Sequence, residues 1–186
     1  MNAKVDVDGS GLVPSKTEDL AVTIISAGTL INDKYKIGAE YGVGTIDPSN
    51  DLTLWSVKAG YRFVNATAFK VDAIIAPINI TTETGELNAT MYGVDLAQYF
   101  SKSIFLTATY VVSTGTCKND GYKTDNSVPT RLIRVKFNYF FNDSIGMVAG
   151  YTGLDYKSDM VMLNNFNVGK ADVNLGGPTL GVVYKF

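Results

Sequence analysis

The sequence has no histidine and only one cysteine, Cys117, in 186 residues. Without imidazole, the commonest general base of hydrolases and acyltransferases is missing. A lone thiol cannot form an internal disulfide, so cysteine says little about redox compartment. No run of about 18 apolar residues occurs, which excludes a transmembrane helix. The opening "MNAKVDVDGSG" lacks the apolar stretch of a signal peptide, so the chain is either cytosolic or numbered from a mature or recombinant start. Charge of one sign is scarce too. With 16 Lys and Arg against 18 Asp and Glu the net charge is -2, and no footprint for nucleic acid exists. Helical periodicity is nearly lacking.

What is present is alternation. The chain is 46% hydrophobic and 11% aromatic, with 18 glycines, which is an ordered composition. Its length fits one domain, 1–186. Period-2 patterning predicts ten strands, at about 3–12, 19–31, 34–45, 52–64, 67–80, 90–100, 103–115, 130–141, 144–157 and 173–186. Four connections are tight, at Asn32-Asp33, Asn65-Ala66, Ser101-Lys102 and Asn142-Asp143. Asn and Asp accept the positive φ of two-residue hairpin turns. The other five connections, 13–18, 46–51, 81–89, 116–129 and 158–172, are longer. Tight and long connections alternate, so one end carries short turns and both termini while the other carries the loops. The pattern predicts an all-β fold: a closed up-and-down antiparallel transmembrane β-barrel of ten strands, or of eight if the first segment is a leader.

The direction of the alternation distinguishes a membrane barrel from a soluble one. In strand 8, Ile133, Val135, Phe137, Tyr139 and Phe141 oppose Arg134, Lys136 and Asn138. In strand 4, Trp55, Val57, Ala59, Tyr61 and Phe63 oppose Ser56, Lys58, Gly60 and Arg62. The charged face is rich in Gly, Ser and Thr, as a narrow interior requires. A solvated exterior has no use for so many glycines, which weaken strands. Aromatics on the apolar face gather near strand ends, Tyr35, Tyr61, Phe63 and Tyr139 at the tight-turn rim and Tyr41, Trp55, Tyr92, Tyr110 and Tyr151 toward the loops. Two girdles around an aliphatic band suit two membrane interfaces. Trp55 to Phe63 spans roughly 26 Å of strand, or roughly 20 Å after a tilt of about 40°. The rival reading is a soluble lipid carrier with a greasy interior.

The final stretch "TLGVVYKF" resembles the C-terminal β-signal of Gram-negative outer-membrane proteins. Thr179 is the polar residue, Gly181 the glycine two later, and Tyr184 and Phe186 the two aromatics. The resemblance covers nearly the whole chain at the level of the small porin-like barrel class. It implies a bacterial outer-membrane location, insertion by the outer-membrane assembly machinery, and a monomer in contact with the lipid bilayer.

Inward charges are the candidate functional residues: Lys36, Glu40, Lys58, Arg62, Lys70, Asp72, Asp95, Arg134, Lys136 and Lys185, with Asp6 and Asp8 beside them and Thr107 and Thr109 on strand 7. They either line a narrow path for ions or small solutes, weakly favouring anions, or pair into a salt-bridged plug. Both readings stay open at the level of sequence. "DVDGSGLVPSKTE" fits a calcium loop poorly, since position 12 is Thr17, Pro14 interrupts it and no helix flanks it. No cofactor or metal is expected. Catalysis is not expected either: Cys117 lies in a polar stretch beside Lys118 with no candidate base. The apolar "DMVMLNNFNVG" either extends the last hairpin, folds over the mouth or meets a partner. The expected function is a small passive channel, with a closed barrel acting structurally or as a surface binder through its loops as the alternative.

Overall fold

A computed structural model describes residues 2–11, 16–46, 50–83, 85–119, 125–163 and 166–184. Every regular element in it is a strand: β1 (Asn2–Gly11), β2 (Lys16–Ile31), β3 (Tyr35–Ile46), β4 (Asn50–Asn65), β5 (Phe69–Thr82), β6 (Gly85–Tyr99), β7 (Ile104–Asn119), β8 (Asp125–Phe140), β9 (Ile145–Leu163) and β10 (Phe166–Tyr184). Each pairs antiparallel with its sequence neighbour, an up-and-down meander that curls on itself. β1 also pairs with β10, Lys4 to Gly11 against Gly176 to Gly169.

That junction is short. β1 meets β2 only between Val7↔Lys16 and Asn2↔Ala21. Below this level, toward the tight turns, Val22 to Ile31 of β2 and Gly177 to Tyr184 of β10 have no ladder partner across the seam among the described residues. Outward side chains beside the seam lack a neighbouring strand on one side. Leu180 is 74% exposed and Ile25 71%, against 47% for Ile37 within the sheet.

The tight turns form where the sequence placed them. Asn32 and Asp33 take φ of 51° and 56°, the left-handed values that these short polar side chains tolerate. Ser101 Oγ accepts from the amides of Ser103 and Ile104, and Asn142 Oδ1 from those of Ser144 and Ile145, local bonds that stand in for the ladder. The opposite end departs from expectation. β5 runs to Thr82 and β6 resumes at Gly85, where a loop over 81–89 was expected. β9 runs to Leu163 and β10 starts at Phe166, so most of 158–172 is hairpin rather than loop. A ladder needs only backbone donors and acceptors, so polar residues extend it without an apolar signal.

The apolar face points outward. Tyr35, Tyr61, Phe63, Tyr139 and Phe141 are exposed at one level, and Tyr41, Trp55, Tyr92, Tyr110 and Tyr151 at the other, with Ile37, Val57 and Val135 between. On the loop side the outer wall turns polar. Asn79 donates to Glu86 and Asn88, each at 2.7 Å, and Arg131 grips Asp155. Hydrogen bonds from Asn88 and Asn79 hold the Glu86 carboxyl below its ordinary range. A soluble carrier with its greasy face inward does not match this wall.

Candidate functional site: a charged belt inside the sheet

One cross-strand row builds the site. Arg62 stands opposite Asp72, Asp72 opposite Asp95, Asp95 opposite Thr109, Thr109 opposite Arg134 and Arg134 opposite Thr152. Facing residues in an antiparallel ladder bring their Cβ atoms to about 5 Å, so side chains along the row can bond. Arg62 forks onto Asp72, Nε to Oδ1 at 2.7 Å and Nη2 to Oδ2 at 3.2 Å. Thr109 Oγ1 donates to Asp95 Oδ1 at 2.6 Å.

Residues from β3 and β4 reach into the same belt. Lys36 Nζ lies 2.6 Å from Asp95 Oδ2 and 3.4 Å from Asp72 Oδ2, and Lys58 Nζ lies 3.1 Å from Asp95 Oδ2. Arg134 Nη1 of β8 donates to Glu40 Oε1 of β3 at 2.5 Å. β3 and β8 are five strands apart, so this pair bridges the interior. Asp72, Asp95 and Arg134 are buried. Buried charges require such pairing, because desolvation of an isolated ion costs several kcal/mol, on the order of the pair's own attraction.

Seven of the expected residues are therefore paired in the belt: Lys36, Lys58, Arg62, Asp72 and Asp95 in one network, and Glu40 with Arg134 as a separate pair. Lys136 lies in the belt but makes no ion pair with a described residue. Lys70 sits nearer the turns, its ammonium 4.9 Å from the Tyr99 ring centre. Thr107 bonds weakly to the Lys136 carbonyl at 3.5 Å. Lys185 and Phe186 fall outside the described residues, as do the side chains of Asp6 and Asp8 and of the calcium-like stretch.

Two inner layers were missed in the sequence. Below the belt, Phe105 stacks between Tyr99 and Phe140, with ring centres 5.0 and 5.9 Å apart. Above it the interior is apolar: Val22, Leu52, Ile74, Ile78, Ile80, Leu87, Met91, Val111, Leu132 and Leu154 form one buried cluster. Met91 is 1% exposed. In a single-layer wall, residues on the inner face become this buried only if the interior is filled at their level. The signal was available, since continuing the parity of Lys70 and Asp72 along β5 gives Ile74, Ala76, Ile78 and Ile80. Cys117, on β7, belongs to this cluster and stands opposite Leu87 of β6. The expectation of a thiol in a polar loop is corrected, because β7 extends to Asn119.

Glycines let the strands close up around the belt. A Cβ on Gly150 would lie 2.1 Å from the Val135 carbonyl oxygen, and one on Gly93 would lie 1.9 Å from that of Tyr110. Two grooves, lined by Val22, Val43 and Leu52 and by Trp55, Ile78 and Tyr92 among others, touch none of the belt residues. Among the described residues, no cluster of acids or cysteine could hold a metal.

No family model and no curated protein matches the chain. Among solved structures it is similar to a bacterial polysaccharide outer membrane secretin, at 12% identity and a TM-score of 0.43, covering 91% of this chain and 57% of the secretin. It is similar also to the KdgM porin in complex with disordered oligogalacturonate, at 9% identity and 0.40, covering 100% and 98%. The translocator domain of the autotransporter NalP from Neisseria meningitidis gives 11% identity and 0.40, covering 100% and 87%. These likenesses are too distant to carry a function to this chain.

Proposed function

We propose that this chain is a β-barrel of a bacterial outer membrane, with ten strands closed into a tube and a sealed interior, acting as a membrane-embedded scaffold for its loop-side end. The carrying observation is the inverted wall, with exposed aromatics in two girdles outside and paired charges inside. That inversion has a physical reason in lipid and none in water. Support for closure comes from β1 touching both β2 and β10 and from Glu40 meeting Arg134 across the interior. Support for sealing comes from the apolar layer above the belt. Thr179, Gly181 and Tyr184 are read as part of the signal by which assembly machinery inserts the barrel, in monomeric form and without catalysis.

A second reading, the passive channel for ions or small solutes, is favoured by one observation. Lys36 and Lys58 keep 31% and 22% of their side-chain surface exposed within the belt, so part of it is wet. Planar-bilayer conductance of the refolded chain separates the two. Stable insertion without current steps supports the scaffold. Steady steps whose ion preference shifts in Arg62→Glu and Arg134→Glu establish the channel instead.

A further inference from the structure

Inward cations outnumber inward carboxylates among the described residues. Lys36, Lys58, Arg62, Lys70, Arg134 and Lys136 stand against Glu40, Asp72 and Asp95, six against three. The surplus is not spread evenly. Asp72 and Asp95 are each shared by two cations from β3 and β4 and Glu40 is held by Arg134, whereas among the described residues β8, β9 and β10 contribute Arg134 and Lys136 and no acid to the belt.

The polar atoms without partners lie in the same quarter. Arg134 Nε, Thr152 Oγ1 and Thr179 Oγ1 are buried and make no hydrogen bond. Arg134 and Thr152 are themselves nine-tenths buried, at 9% and 7% exposure. The register brings these groups together. Thr152 faces Arg134 directly. Lys136 faces Gly150, which faces Thr179 on the next strand, so no side chain intervenes between the lysine and that threonine. Thr152 and Thr179 are diagonal neighbours across β9 and β10, at about 7 Å. Buried donors left unpaired are costly, and buried surplus charge more so.

We propose that Arg134, Lys136, Thr152 and Thr179 form a binding site for a small oxyanion of phosphate or sulfate size. The guanidinium Nε–H, the ammonium and two hydroxyls supply charge-assisted and neutral donors to the anion's unprotonated oxygens. The anion offsets the surplus charge without disturbing Arg134 Nη1, which stays on Glu40. The site stands whether or not the barrel conducts.

The test is titration calorimetry of the full chain, refolded in detergent, with sodium phosphate and sodium sulfate against sodium chloride at constant ionic strength. Saturable binding of one oxyanion per chain is expected. Thr152→Val and Lys136→Met should each weaken it at least ten-fold, while Lys34→Met, which removes a cation from an exposed turn, should not. If Lys136→Met fails to refold, Thr152→Val and Thr179→Val carry the test, since neither loses a partner inside the protein. Absence of saturable binding, equal weakening by Lys34→Met, or unchanged binding in both threonine variants would overturn the proposal.

Discussion

Asp72 on β5 stands directly opposite Asp95 on β6, and the Lys36 ammonium reaches both, 3.4 Å from one and 2.6 Å from the other. Two carboxylates placed face to face repel each other, so the lysine between them adds to what Arg62 does for Asp72 and Lys58 for Asp95. Lys36→Met is expected to lower stability by about 2 kcal/mol, less than a fully buried pair would, because the lysine is partly solvated. Adding Asp95→Asn to that variant should recover part of the loss. Denaturant unfolding from lipid vesicles measures both, and a neutral Lys36→Met would refute the compensating role.

Glu40 and Arg134 pair from opposite sides of the interior. Glu40→Arg and Arg134→Glu should each destabilise the barrel, and the double exchange should restore much of the loss. The coupling expected from the cycle is about 1–3 kcal/mol. Strict additivity would mean that the two groups do not meet in the folded chain.

Ile37 lies on the outer wall between Tyr35 and Tyr41 and is exposed. If that wall faces hydrocarbon, Ile37→Arg costs about 2–4 kcal/mol when unfolding is followed in a bilayer. If it faces water, the change stays within about 0.5 kcal/mol. The same protein therefore reports which solvent surrounds it.

Gly150 permits the close approach of β8 and β9, since any Cβ there would meet the Val135 carbonyl oxygen. Gly150→Ala should push the strands apart and cost at least about 2 kcal/mol. The expected sign is loss of the compact, heat-modifiable band on a gel. Normal refolding would show that the ladder yields more easily than its geometry suggests.

Cys117 is buried in the inner apolar cluster. Maleimide should label it slowly in the refolded barrel and rapidly in denaturant. Fast labelling of the folded protein would place β7 differently from its described register with β6.

Legibility was uneven in a way that physics explains. The strands and the tight turns were readable because period 2 and Asn, Asp and Ser chemistry are local. The outward direction of the aromatics was readable from the company that Arg62 and Arg134 keep with glycine and threonine. The extension of β5, β6, β9 and β10 past their apolar segments was not, because backbone pairing leaves little trace in side-chain type.

By itself, then, the sequence determined the alternation, the up-and-down order and the two faces, since each follows from residues a few positions apart. Only the tertiary structure decided which charges meet. Lys36 with Asp95 and Glu40 with Arg134 are 59 and 94 residues apart in the chain, and their encounter depends on strand register and on the curl of the sheet. The same curl turned Ile74, Ile78 and Met91 into a filled layer. A strand's own pattern says which side a residue faces, but only the neighbouring strands decide whether that side encloses water or other side chains.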